Sequence, residues 1–183
     1  MEKYKFITLF SIKNTPIQIH WSFTILLILI FLISLSNISV AIIAILFWGI
    51  MLIHELGHMW FASRLGLKTI NINLYILHGI CYHQPADTDY ENYLVAWGGV
   101  AAQAIIFIPC IIIFYLYGEL MPWYINLPLI FLGYINGLIA LFNLAPSKWL
   151  DGGTCWKAIP LYFKYKNKND KKPKKKRHLK IVK

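Results

Sequence analysis

Charge and cysteine are both scarce in this sequence. Of 183 residues only 14% are charged and 58% are hydrophobic, against about 25% charged in a typical soluble domain. So little charge on so apolar a chain excludes an ordinary water-soluble domain, and the mean hydropathy of +0.55 agrees. The three cysteines, Cys81, Cys110 and Cys155, are far apart and form no CxxC pair. That excludes a disulfide framework and a cysteine zinc knuckle. There is no internal repeat and no loop with room for an inserted domain. Excess charge is missing from most of the chain as well. Residues 1–163 carry seven Lys or Arg and seven Asp or Glu, so the net charge of +10 comes from residues 164–183, with eleven basic residues and one acidic. A nucleic-acid-binding domain with a basic face is thereby excluded. For the neutral, apolar body, so is intrinsic disorder.

What is present is a set of long apolar runs. A membrane helix needs about 20 apolar residues, and four stretches qualify or come close: 21–35, 40–61, 93–117 and 123–145. The third contains Pro109, which predicts a kink. Trp21, Trp60, Trp97 and Trp123 fall near the ends of these runs, as an interfacial belt would place them. The first run starts only after residue 20 and is followed by no small-x-small cleavage site, so it reads as a retained helix rather than a signal peptide. Lys3, Lys5 and Lys13 precede the first run, Arg64 and Lys68 follow the second, and the tail follows the fourth, while the connections at 36–39 and 118–122 hold no basic residue. This bias predicts four spans with both termini in the cytoplasm. Residues 6–12 and 17–20, either side of a Lys-Asn-Thr-Pro turn, read as a hairpin, and 69–77 and 79–83 as strands. The expected fold is an α-helical polytopic membrane protein of about four transmembrane helices with a small β-sheet at the cytoplasmic surface. Residues 1–163 would form the membrane domain and 164–183 a disordered basic tail. Beside a cytoplasmic leaflet, such a tail would attract anionic lipid.

The second run contains His54-Glu55-Leu56-Gly57-His58. On a helix, residues four apart share a face, so both imidazoles can reach one metal ion, with Glu55 set to one side where it can touch water held by that metal. Ionisable groups in a bilayer cost roughly 2.5–3.5 kcal/mol each on insertion scales, which marks such a cluster as functional. The competing reading is an interhelical hydrogen-bonding patch. A two-histidine zinc site needs a third protein ligand. Asp151, at the end of the fourth run and on the same predicted side, supplies one; its plainer role would be a helix N-cap. His78 and His83 read as surface-loop histidines, His20 as an interfacial anchor or structural hydrogen-bonder, and Glu119 as solvated.

These motifs resemble the site-2 protease family of intramembrane zinc metalloproteases, the stage IV sporulation protease group among them. In that family an HExxH helix is followed by N-x-x-P-x-x-x-L-D-G-G, matched here by Asn143, Pro146, Leu150, Asp151, Gly152 and Gly153, and Ile19–Phe23 resembles the family's start to its first helix. The resemblance covers roughly residues 15–160. It departs where the family carries G-P-x-x-N, since Gly99, Val100 and Gln103 stand there. It implies a compact member without a PDZ domain, one zinc held by His54, His58 and Asp151, and Glu55 as the catalytic general base. Asn143 and Gln103 are the candidate substrate or oxyanion residues. The expected reaction is hydrolysis of peptide bonds in or near membrane spans, with the strands at 69–83 clamping an unwound segment. Partners would be a transmembrane protein substrate, anionic lipid and a membrane regulator, with no nucleic acid, at the prokaryotic cytoplasmic membrane. The alternative function is a catalytically inactive metal-binding scaffold, which would have no use for Glu55, or a transporter-like protein, which would not be expected to carry the Leu150-Asp151-Gly152-Gly153 stretch.

Overall fold

The computed structural model describes residues 6–166. Lys3, Lys5 and the tail from residue 167 onward lie outside the described residues.

Strand β1 (Phe6–Ile12) turns into β2 (Thr15–His20) through Lys13 and Asn14, whose φ angles of 47° and 66° suit the two-residue turn that matches strand twist. Strand β3 (Thr69–Leu74) runs parallel to β2 and is paired antiparallel with β4 (Gly79–His83), giving the order β1-β2-β3-β4. Alternation puts Ile17, Ile19, Ile72 and Leu74 into one buried cluster with Phe23 and Met51. The sheet is thereby anchored to the helix that carries the histidines. The parallel pair β2–β3 needs a long crossover, and helices α1 (Ser22–Ser34) and α2 (Ile38–Arg64) supply it.

Asn37 breaks α1 from α2 and caps α2, its side chain accepting from the Ser39 N–H at 3.0 Å. Helix α3 (Asp89–Tyr117) starts four residues before the apolar run at 93, because Thr88 and Glu91 form a capping box. It continues through Pro109. The last long element consists of α4 (Trp123–Ile130), a π turn (Phe131–Ile135) and α5 (Asn136–Asn143). Two short helices follow, α6 (Gly152–Cys155) and α7 (Ala158–Lys166). Helix α7 therefore extends three residues into the stretch read as a disordered tail.

The chain is mostly helical with a four-stranded sheet. Three helical stretches are long and apolar enough to cross a membrane: Ile38–Arg64, Asp89–Leu120 and Trp123–Asn143. Helix α1 has 13 residues, about 20 Å of helix, and falls short of that length. Its apolar side chains nonetheless face outward, with Phe31 63% exposed. Of the four tryptophans placed at interfaces, Trp97 has an inner task. Its indole N–H donates to the Cys155 carbonyl at 2.9 Å, tying α6 to α3.

Helices α2 and α3 meet through glycine. A Cβ added at Gly98 would stand 2.5 Å from the Gly57 carbonyl oxygen, and one at Gly99 would stand 2.6 Å from His54 Nδ1. Without a hydrophobic driving force between helices in lipid, such small residues permit the close backbone approach that dispersion requires. Here that approach brings α3 against the back of both histidines.

Candidate metal centre

His54, Glu55 and His58 are all buried on α2. Asp151 reaches them from the loop after α5, where the chain folds back tightly. A side chain at Gly152 or Gly153 would strike the carbonyls of Leu144, Ala145 and Ser147. Asp151 occupies the N-cap position of α6, yet its carboxylate makes no capping hydrogen bond; it turns to the histidines instead. Its Oδ2 lies 2.9 Å from His54 Nε2 and 3.2 Å from His58 Nε2, and the two Nε2 atoms are 3.1 Å apart. Among the described residues this is the one group of three or more His, Cys, Asp or Glu with the geometry to hold a metal ion.

The hydrogen bonds behind the rings decide what the fronts can do. His58 Nδ1 lies 2.8 Å from the Val95 carbonyl. A carbonyl only accepts, so Nδ1 donates and a neutral His58 turns a lone pair on Nε2 toward Asp151. His54 Nδ1 lies 2.9 Å from Gln103 Oε1, with the same consequence. Three electron pairs then converge within hydrogen-bond distance, and Asp151 Oδ2 is buried without a hydrogen-bond donor. A metal cation bound between them makes that arrangement favourable. Two imidazoles and one carboxylate, with atoms 2.9–3.2 Å apart, suit zinc, which binds such donors at about 2.0–2.2 Å.

Glu55 stands beside this cluster, held by strand β4. The Cys81 backbone N–H donates to its carboxylate, and a Cβ added at Gly79 would come within 2.5 Å of Oε1. Burial, with Glu55 adding to it, pushes the Cys81 thiol up to about 12. The thiol is not among the three groups that converge on the metal position.

A cavity of about 940 Å³ opens from these residues. Phe47, Ile50 and Met51 of α2 and Ile139 and Phe142 of α5 line its apolar side, and Asn143 lines it beside Asp151. Strand β4, which ends the sheet, also borders it through Gly79, Ile80 and Cys81. Gln103 also borders the cavity; it is completely buried, on the far side of the His54 ring from Asp151, and its amide oxygen and nitrogen are engaged by His54 and Asn136. His78 and His83 line the cavity without joining the metal-ligand geometry, His78 stacking on Tyr75 and His83 bonding to the Gln84 carbonyl. His20 binds the Ser22 hydroxyl at 2.7 Å at the start of α1. Glu119 is exposed. Sequence reasoning missed Gly79, Gly98 and Asn136, and the packing role of Gly99. The glycine pair and a lone asparagine, each inside an apolar run, were the available signals.

Comparison with known proteins gives a consistent picture. Residues 41–105, which include the histidine pair, match Peptidase family M50. Over 157 residues the chain is 31% identical to a zinc metalloprotease of Methanocaldococcus jannaschii, covering 84% of this chain and 45% of that protein. A relative from Synechocystis is 32% identical over 121 residues, covering 64% of this chain and 31% of its own length. The chain thus spans less than half the length of the curated relatives it matches. The solved structure of the site-2 protease from Methanocaldococcus jannaschii superimposes with a TM-score of 0.65 at 28% identity, covering 87% of this chain and 73% of that one.

Proposed function

We propose that this chain, similar to peptidase family M50 and to a site-2 protease of known structure, is an intramembrane zinc metalloprotease, hydrolysing peptide bonds in or near the membrane-spanning segments of other proteins. The observation that carries this reading is the convergence of His54, His58 and Asp151 on one point with the Glu55 carboxylate beside it. When bound, zinc supplies a Lewis acid that acidifies water to a pKa of about 7 and polarises a peptide carbonyl. The chain's own residues do the rest. His54, His58 and Asp151 would hold the ion. Glu55, buried against β4, accepts the proton of the attacking water and returns it to the leaving amine. Asn143, which lines the cavity, would donate to the developing oxyanion. A metal scaffold or a transporter would need no general base held beside the ion.

A transmembrane helix hides its carbonyls within its own hydrogen bonds, so the substrate must unwind before it is cut. Strand β4, the last in the sheet order, borders the cavity, and an extended segment adding along it would bring its carbonyls to Glu55. Removing metal with a chelator from protein reconstituted in vesicles should abolish cleavage of a membrane-anchored polypeptide, and added zinc should restore it. Mass-spectrometric mapping should put the cut in or beside the apolar segment. Chelator-resistant cleavage, or cuts confined to soluble loops, would overturn this reading.

We also propose that α1 is a fourth, short span, with both ends of the chain and the metal centre toward the cytoplasm. Its outward-facing apolar surface and the distribution of Lys and Arg support this. A span of this length is accommodated by local thinning of the bilayer. With the native cysteines removed, Ser36→Cys should react with a membrane-impermeant maleimide in intact cells, and Asn14→Cys only after permeabilisation. The reverse pattern contradicts the orientation, and labelling of both only after permeabilisation contradicts the crossing.

A further inference from the structure

The two histidines are oriented by different means. Behind His58 stands a main-chain carbonyl, that of Val95, which no side-chain substitution removes. Behind His54 stands a relay of two side chains. Gln103 on α3 and Asn136 at the start of α5 are both 0% exposed. Gln103 Nε2 donates to Asn136 Oδ1 at 2.9 Å, and Asn136 Nδ2 donates to the Gln103 main-chain carbonyl at 3.4 Å.

The relay has a direction, and its fixed end is that carbonyl. Because the carbonyl only accepts, Asn136 must turn its NH₂ there and its oxygen toward Gln103. Because that oxygen only accepts, Gln103 must present its own NH₂ and leave Oε1 for His54. Because Oε1 only accepts, the His54 proton sits on Nδ1, and the Nε2 lone pair faces His58 and Asp151. The order of donors thus runs from the α3 backbone through two amides to the tautomer of one imidazole.

The backbone supports the relay. The π turn at Phe131–Ile135 ends immediately before Asn136. Gly133, Asn136 and Ala140, all buried, share the face turned to α3, where a Cβ at Gly133 would press within 3.2 Å of the Ile111 nitrogen. An extra residue in a helix rotates everything after it by about 100°, and such π bulges occur frequently at functional sites. Packing alone does not call for two amides here. Replacing both members of a buried hydrogen-bonded pair by apolar groups of the same shape is close to neutral for stability.

We propose that Gln103 and Asn136 are positioning residues that fix the tautomer and ring orientation of His54 for zinc. This rests on the zinc-protease reading above. Groups hydrogen-bonded to metal-ligating histidines typically change metal affinity about 10- to 100-fold when removed.

The test measures zinc affinity by chelator competition and the visible absorption bands of the Co²⁺-substituted full-length protein. Gln103→Met, similar in length but unable to accept, should weaken zinc binding about 10- to 100-fold and shift the Co²⁺ bands. Gln103→Glu keeps an acceptor on Nδ1–H and should retain wild-type affinity within about threefold, or tighten it. Asn136→Leu should weaken binding less than Gln103→Met. The double variant Gln103→Met/Asn136→Leu should be no weaker than Gln103→Met alone, since Asn136 acts through Gln103. Zinc affinity within twofold of wild type and unchanged Co²⁺ bands in Gln103→Met would overturn the proposal. Equal loss in Gln103→Glu and Gln103→Met, or additive losses in the double variant, would overturn it too. If Gln103→Met does not fold, weakened binding in Asn136→Leu with retention in Gln103→Glu supports the proposal, and unchanged binding in Asn136→Leu overturns it. Wild-type protein that binds no zinc would instead sink the zinc-protease reading itself.

Discussion

Asp151→Asn should leave the protein folded and cost it its zinc, with affinity falling by more than about 100-fold. Asp151 stands in a loop after the last long helix, and its backbone is held independently of the carboxylate. Its carbonyl accepts from the Thr154 and Cys155 N–H groups at 2.8 and 2.7 Å, and Gly152 and Gly153 pack against the preceding turn. The substitution therefore removes charge without removing a structural contact. What it removes is the carboxylate charge that faces the two imidazole Nε2 atoms. Loss of groups one shell further out already costs about 10- to 100-fold in metal affinity, so loss of a direct ligand exceeds that. Equilibrium dialysis against a zinc buffer, with thermal unfolding in detergent as the control, measures both quantities. Asp151→Asn protein that retained stoichiometric zinc at wild-type affinity would remove Asp151 from the ligand set.

How much of this could be read in the sequence depended on how local the determinant was. The i, i+4 histidines declare their shared helix face in five residues, and the Lys13–Asn14 turn and the alternation at 69–74 declare their strands. Asp151 could be paired with the histidines because an acidic residue near a membrane is expensive and therefore conspicuous. The orienting partners were less legible. The Val95 carbonyl behind His58 leaves no mark in the sequence, since every residue has one. Asn136 reaches Gln103 through a π turn, a register change that apolar periodicity does not announce. The placement of β4 against Glu55 depends on a parallel β2–β3 pair closed across two helices, a long-range contact between residues more than fifty positions apart. The start of α3 was misplaced by four residues because apolar content marks where lipid begins, whereas Thr88 and Glu91 mark where the helix begins.

Glu55→Gln should behave in the opposite way from Asp151→Asn. Glutamine keeps the size of the side chain and can still accept from the Cys81 N–H, so β4 and the cavity wall remain in place. Glu55 is not among the three groups that converge on the metal position, so zinc binding should be preserved. What is lost is the capacity to take a proton from water and return it to the amine. A positioned general acid–base contributes about 10²- to 10⁴-fold, and peptide hydrolysis should fall by that factor. A variant that lost metal and activity together would make Glu55 a ligand or a structural residue rather than a base.

The most direct test compares wild-type and Glu55→Gln proteins in the same vesicle preparation, measuring zinc per chain and the cleavage rate of one membrane-anchored polypeptide. The expected result is about one zinc per chain in both proteins, with cleavage by the wild type alone. Equal cleavage by both, or a wild type that cleaves without bound zinc, would contradict the assignment of this chain as a zinc protease driven by Glu55.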